Sequence, residues 1–205
     1  MADGNGTSVA RLVEAAREGN PGAADRLLLR YRGYLRFLAR DRVFTSLKGK
    51  VDPSDVVQEV LLDAQRCLVQ FRGRSEREFL AWLRRILARR LVDLAREHHT
   101  PGGRTVVHER SLEEILRESS RALARLLPAE GPTPSRQAAA RETSALVAEA
   151  LAKLSDEQEE VIRLRSIQEL GWEEVAERLG RSNAAVRQLW VRALKKLRPL
   201  VEGLR

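Results

Sequence analysis

Residues 171–198 read GWEEVAERLGRSNAAVRQLWVRALKKLR, and the spacing within this stretch decides the fold. Val175, Ala176 and Leu179 fall on one face of a short helix. Gly180 follows where the chain must leave that helix in a tight turn, at a positive φ that glycine adopts without strain. Ser182 stands as N-cap of a second helix. The inner face of this helix is Val186, Leu189, Trp190, Ala193 and Leu197, and Ser182, Asn183, Ala184, Arg187, Gln188, Arg192 and Lys195 are left for its outer faces. A small Ala176 lets the two helices approach, Gly180 turns the chain, and Val186 locks the second helix onto the first. This is the logic of a helix-turn-helix, whose second helix offers its N-terminal residues to base edges in the major groove. There Arg187 suits guanine, and Gln188 or Asn183 suits adenine. Lys195, Lys196 and Arg198 suit phosphates. An ordinary helical hairpin with a basic outer face has the same spacing, and Trp190 fits its core.

Charge favours the first of these readings. The 205-residue chain carries a formal net charge of +8, which bears on partners rather than on fold. Its basic residues are concentrated. Residues 181–198 hold Arg181, Arg187, Arg192, Lys195, Lys196 and Arg198 with no acid, and residues 84–96 hold Arg84, Arg85, Arg89, Arg90 and Arg96 against Asp93 alone. Two basic segments in an otherwise mixed chain resemble two footprints on a polyanion. Cys67 is the single cysteine, so no internal disulfide is expected, which fits a reducing cytoplasm. No apolar run approaches the ~20 residues of a membrane span, and residues 1–20 lack a signal-peptide core, so no membrane insertion is expected.

Outward from this motif the chain reads as all-α, with strand signals nearly absent. Leu12, Ala15 and Ala16 begin one stripe, and Ala24, Leu27, Leu28, Tyr31, Tyr34, Leu35 and Leu38 form another on a helix expected to follow Gly22. Asp52 is the expected N-cap of the next helix, with Pro53 at N1 and Asp55 at N3. Val56, Val57, Val60, Leu61, Ala64 and Leu68 are its buried stripe, and Gly73 ends it. Capping boxes at Ser75–Glu78, Ser111–Glu114 and Ser155–Gln158 open three more helices. The second of these is short and runs to about Leu127. Pro128, Gly131, Pro132, Pro134 and Ser135 then read as linker, and helicity resumes near Gln137. The expected plan is two small helical domains, 8–98 and 144–203, joined by a flexible, partly helical linker over 99–143.

The N-terminal half carries a second motif. Asp52-Pro53-Ser54-Asp55-Val56-Val57-Gln58-Glu59-Val60 is followed by Phe71-Arg72-Gly73, then Phe79-Leu80-Ala81-Trp82-Leu83-Arg84-Arg85-Ile86 and Asp93. This run resembles region 2 of sigma-70-type RNA polymerase sigma factors. The segment with Glu173-Glu174-Val175-Ala176, Leu179-Gly180-Arg181-Ser182 and Val186 is similar to region 4. The two stand in the family's order with no region 3 domain between them, the layout of the extracytoplasmic-function (ECF) type. The connector and the Arg-rich helix also resemble planctomycete members.

The resemblance implies a DNA-binding transcription initiation subunit and not an enzyme, acting in the cytoplasm with no cofactor and no metal. It implies core RNA polymerase as partner, through the β′ coiled coil and the β flap, together with promoter DNA and an anti-sigma factor or other regulator, the free chain being a monomer. Asp52, Asp55, Val56, Gln58 and Glu59 would meet the polymerase, where carboxylates and an amide accept hydrogen bonds from arginine. Phe71, Arg72, Arg74, Ser75, Arg85, Arg89 and Arg96 would meet the −10 element. A basic loop with an aromatic suits unstacked single-stranded bases; Phe71 and Trp82 each also fit the core. Ser182, Asn183, Ala184, Arg187, Gln188, Arg192 and Lys195 would meet the −35 element. Many family members have Asn where Arg89 stands, which leaves the favoured −10 base open. His98, His99 and His108 with Cys67 lack regular metal-ligand spacing, and no P-loop occurs. Two rival readings remain: a dimeric helix-turn-helix regulator with a sensor domain, and a helical adaptor that binds polymerase but no promoter.

Overall fold

A computed structural model of the chain describes residues 9–46, 50–98, 109–125, 150–151 and 153–197. Among these residues lie α1 (Val9–Arg17), α2 (Pro21–Ser46), α3 (Pro53–Cys67), a 3₁₀ turn (Leu68–Gln70), α4 (Glu76–Glu97), α5 (Glu109–Arg125), α6 (Asp156–Ser166), α7 (Trp172–Leu179) and α8 (Asn183–Leu197). They contain no strand. The N-terminal and proline-rich stretches, His99 to Gly103, His108, Leu146, Val147 and Arg198 lie outside the described residues.

Local chemistry sets most helix starts. The Asp52 carboxylate accepts from the Ser54 N–H at 2.7 Å, with Pro53 next in the chain. Ser75 and Glu78 complete a reciprocal capping box, as do Ser155 and Gln158. The Glu78 carboxyl is held below its ordinary value by the Ser75 hydroxyl first, then by the N–H groups of Arg74 and Ser75. Two starts differ from the sequence expectation. α2 begins at Pro21 rather than after Gly22, because the Asn20 side chain accepts from the Ala23 N–H at 3.1 Å and caps the helix earlier. α5 begins at Glu109, which puts Ser111 inside its first turn. Tertiary packing of Leu112, Leu116 and Leu123 carries this helix rather than a local cap.

Helices α1 to α5 pack around Leu27, Tyr31, Leu35, Leu38, Val60, Phe79, Leu83 and Leu87, all fully buried. Each such side chain stabilises by about 1.5–3 kcal/mol relative to exposure. α5, expected within the linker, docks on α4 and α2. Its Ser120 hydroxyl accepts from the Tyr34 hydroxyl at 3.0 Å, and Tyr34 in turn accepts from the Arg84 guanidinium at 3.0 Å. Buried Glu76 accepts from the Tyr31 hydroxyl at 2.8 Å. Helices α6 to α8 form a second group around Val161, Ile162, Leu164, Val175, Val186 and Ala193.

Candidate nucleic-acid interface

In the C-terminal group, α7 ends on Gly180 at φ 59°, ψ 35°, the left-handed conformation the turn requires. Its N–H and that of Arg181 return to α7 carbonyls, with Arg181 donating to Ala176 at 3.0 Å. The Ser182 hydroxyl accepts from the Ala185 N–H at 3.3 Å, so Ser182 caps α8. Val186, Ala193 and Leu197 turn inward, while Ser182, Ala184, Arg187, Gln188, Arg192 and Lys195 are exposed and Asn183 is half-buried. All seven residues expected at the −35 element therefore lie at the start or on the outer side of one helix. Arg187 is held in place: its Nε donates to the Asn183 side-chain oxygen Oδ1 at 2.8 Å, and its guanidinium lies 5.2 Å from the centre of the Trp172 ring. Asn183 donates in turn to Glu173 at 3.1 Å. Both ends of its amide are engaged, which leaves Gln188 as the exposed amide on that face. Lys196 is tied back to Gln158 at 2.8 Å and Arg181 pairs with Glu157, so neither extends the outer row without a rearrangement.

On α4, Arg85, Arg89 and Arg96 are exposed at helical spacing, which makes one basic row. Arg85 stands 3.7 Å from Glu113 of α5, and Arg96 stands 3.7 Å from Asp93. The loop before α4 exposes Arg72 and Arg74, with Ser75 half-buried at the cap. Phe71 is different. It is only 6% exposed and packs against Phe79 and Trp82, with ring centres 5.5 and 5.1 Å away. Of the two roles open to Phe71, the packing favours the core, with the ring backing the Arg72–Arg74 loop. Gly73 makes this packing possible, because a Cβ there would stand 2.3 Å from the Phe71 ring. Trp82 is half-buried in the same cluster.

On α3, Asp52, Asp55, Gln58 and Glu59 form an exposed acidic and amide edge, and Glu59 pairs with Arg90. Val56 is 1% exposed and faces inward, so it supports that edge from behind. No described group of three or more His, Cys, Asp or Glu residues is placed to hold a metal.

Residues 27–100 match the family model for Sigma-70 region 2, and residues 150–199 match the model for Sigma-70, region 4. The chain belongs to the sigma-70 family. It is 29% identical over 193 residues to the ECF RNA polymerase sigma-E factor of Haemophilus influenzae, an alignment spanning 94% of this chain and 95% of that one. It is thus a sigma factor of the ECF type, which directs promoter recognition and transcription initiation with RNA polymerase and promoter DNA as partners. It is also similar to a chain in the structure of CnrH in complex with the cytosolic domain of CnrY, at 27% identity and a TM-score of 0.34, covering 95% of this chain and 97% of that one.

Three features of this sigma factor escape sequence reasoning. Trp172 underlies Arg187 and meets Trp190 edge-on at 5.9 Å; a Trp directly after the capping Gly171 was its only signal. The exposed edge of α3 continues into apolar Leu62, 52% exposed and at the helical spacing of Asp55 and Gln58, and Val69 in the 3₁₀ turn beyond it is 59% exposed. Arg36 and Arg40 of α2 reach Glu159 of α6, a meeting that no local pattern announces. Among the described residues no helix is long and apolar enough to cross a membrane.

Proposed function

We propose that the α3 edge of Asp52, Asp55, Gln58 and Glu59 binds the β′ coiled coil of core polymerase, with Val56 supporting it from within. In this reading Arg72, Arg74, Arg85, Arg89 and Arg96 engage the −10 element, and Ser75 and Phe71 shape the loop that holds them. α8 reads the −35 element through Ser182, Asn183, Ala184, Arg187, Gln188, Arg192 and Lys195, and region 4 meets the β flap. The domain limits are 8–98 and 144–203, with α5 docked on the first domain. The protein works in the cytoplasm, is monomeric when free and is regulated by an anti-sigma factor or another regulator. It performs no catalysis. Strand opening follows from trapping flipped bases against the arginine-rich loop, which offsets a few kcal/mol of lost stacking per base.

The observation that carries this reading is the outer side of α8, where Arg187 is pre-set by Trp172 and Asn183 beside exposed Gln188 and Arg192, just after the left-handed turn at Gly180. A planar fork held in place loses less entropy when it meets a guanine edge. Contacts are few in each half, so free DNA is bound weakly and in a salt-dependent way, and specificity appears in the holoenzyme. The test is transcription from a promoter library with core polymerase. Arg187→Glu combined with Arg192→Glu should abolish the −35 preference while the complex with core polymerase persists. Unchanged promoter choice would refute the assignment and favour an adaptor that reads no DNA.

A further inference from the structure

Ion pairs form part of the contact between the first and second groups of helices. Arg36 Nη2 lies 2.8 Å from Glu159 Oε2, and Arg40 Nη1 lies 3.4 Å from the same oxygen. Asp156, one turn earlier on α6, stands 3.3 Å from Arg40 and 3.9 Å from Arg36. The Glu159 side chain is 1% exposed, against 30% and 20% for the two arginines. Its burial raises the carboxyl above its ordinary value, with Arg36 and then Arg40 opposing the shift. The other carboxylate oxygen, Oε1, and the Arg36 Nε are buried without a hydrogen-bond partner. A buried carboxylate so incompletely satisfied returns little net stability, because desolvation offsets the attraction. Such a contact holds two domains together without welding them.

This arrangement bears on promoter reading, and the inference rests on the proposed assignment of α4 and α8 to separate elements. Positions −10 and −35 are about 25 base pairs apart, roughly 85 Å along straight duplex at 3.4 Å per pair. A compact chain of this length has a radius of gyration of roughly 17 Å. With α6 seated on α2, the two readers are too close to occupy both elements. The chain from Arg125 to Ala150 is long enough to let them part, since about 24 intervening residues reach roughly 80 Å when extended.

We propose that Arg36 and Arg40 of α2, closing on Glu159 and Asp156 of α6, form an ionic latch that keeps the polymerase-free chain closed and that assembly with polymerase must open. The latch lowers apparent affinity for core polymerase by the fraction of molecules that are open.

Energy transfer between labels on exposed Cys67 and on Glu177→Cys reads the separation of the two groups in the full chain. The native latch should give high transfer that falls only modestly in about 0.5 M salt, because the pairs to buried Glu159 are screened little while those to exposed Asp156 are screened. Arg36→Glu with Arg40→Glu should lower transfer with no change to α6, and Glu159→Gln should lower it from the other side. Circular dichroism checks that each variant keeps its helices. The gain in core-polymerase affinity should equal the ratio of open fractions read from the same transfer data. Low transfer in the native chain, unchanged transfer in folded arginine variants, or opening with no gain in affinity would each overturn the latch. A native chain that closes and opens as described but forms no complex with core polymerase would instead overturn the proposed function.

Discussion

Replacing Gly73 by alanine should strain the heart of region 2 without touching a charge. A Cβ at this position would stand 2.3 and 2.7 Å from two atoms of the Phe71 ring and 2.9 Å from the Glu78 Cβ. No contact that short is tolerated, so something must shift. The ring cannot move freely, because Phe71 is 6% exposed and rests on Phe79 and Trp82. Overpacking of this kind costs about 1–3 kcal/mol. For a domain of this size that corresponds to roughly 4–20 °C in Tm. Urea unfolding followed by circular dichroism and by the tryptophan emission that includes Trp82 measures the cost. A double-mutant cycle identifies its source: Phe71→Leu removes the obstructing ring, so Gly73→Ala should cost far less in the Phe71→Leu background, with a coupling of about 1 kcal/mol or more. A Gly73→Ala change within ~0.5 kcal/mol of neutral, or two costs that simply add, would refute the packing argument and return Phe71 to the solvent-facing loop.

Gly180→Ala should destabilise region 4 by about 1 kcal/mol, because a Cβ strains the left-handed conformation although open space surrounds it; Gly180→Asn should recover part of the loss, read by thermal unfolding. Glu78→Gln should lower stability most near neutral pH. The folded Glu78 carboxyl lies below its ordinary 4.5, so its contribution is full above that value and is lost as pH falls through the folded one. Urea midpoints of the two proteins should therefore converge toward acid. Trp172→Ala should release Arg187 and weaken −35-dependent transcription, while Trp172→Phe should retain much of it and both should keep the complex with core polymerase.

Region 4 was legible in the sequence because its determinants are local. Gly180 must turn, Ser182 must cap, and Val186 follows at helical spacing, so geometry comes directly from residue type. The α3 and α4 starts were legible for the same reason, through Asp52-Pro53 and the Ser75–Glu78 box. Where a residue serves two roles equally well, sequence alone does not decide. An aromatic before Arg-Gly-Arg fits a base or a core, and only the closeness of Gly73, Phe79 and Trp82 in space favours the core for Phe71. Asn20-Pro21 carries the cap of α2, just before the Gly22 that resembles a helix boundary. α5 starts before its apparent capping box because burial of Leu116 and Leu123 outweighs a surface cap of about 1 kcal/mol. The pairing of Arg36 with Glu159 joins residues 123 positions apart, and nothing in either neighbourhood marks it.

The central claim is tested most directly by mixing the purified chain with bacterial core RNA polymerase and measuring complex formation for the native protein, Asp55→Arg and Gln58→Ala. The account predicts a stable native complex that both substitutions weaken, Asp55→Arg more strongly, because it sets a positive charge where the partner's arginines approach. Absence of a native complex at micromolar concentration, in an assay where another sigma factor binds, would contradict it.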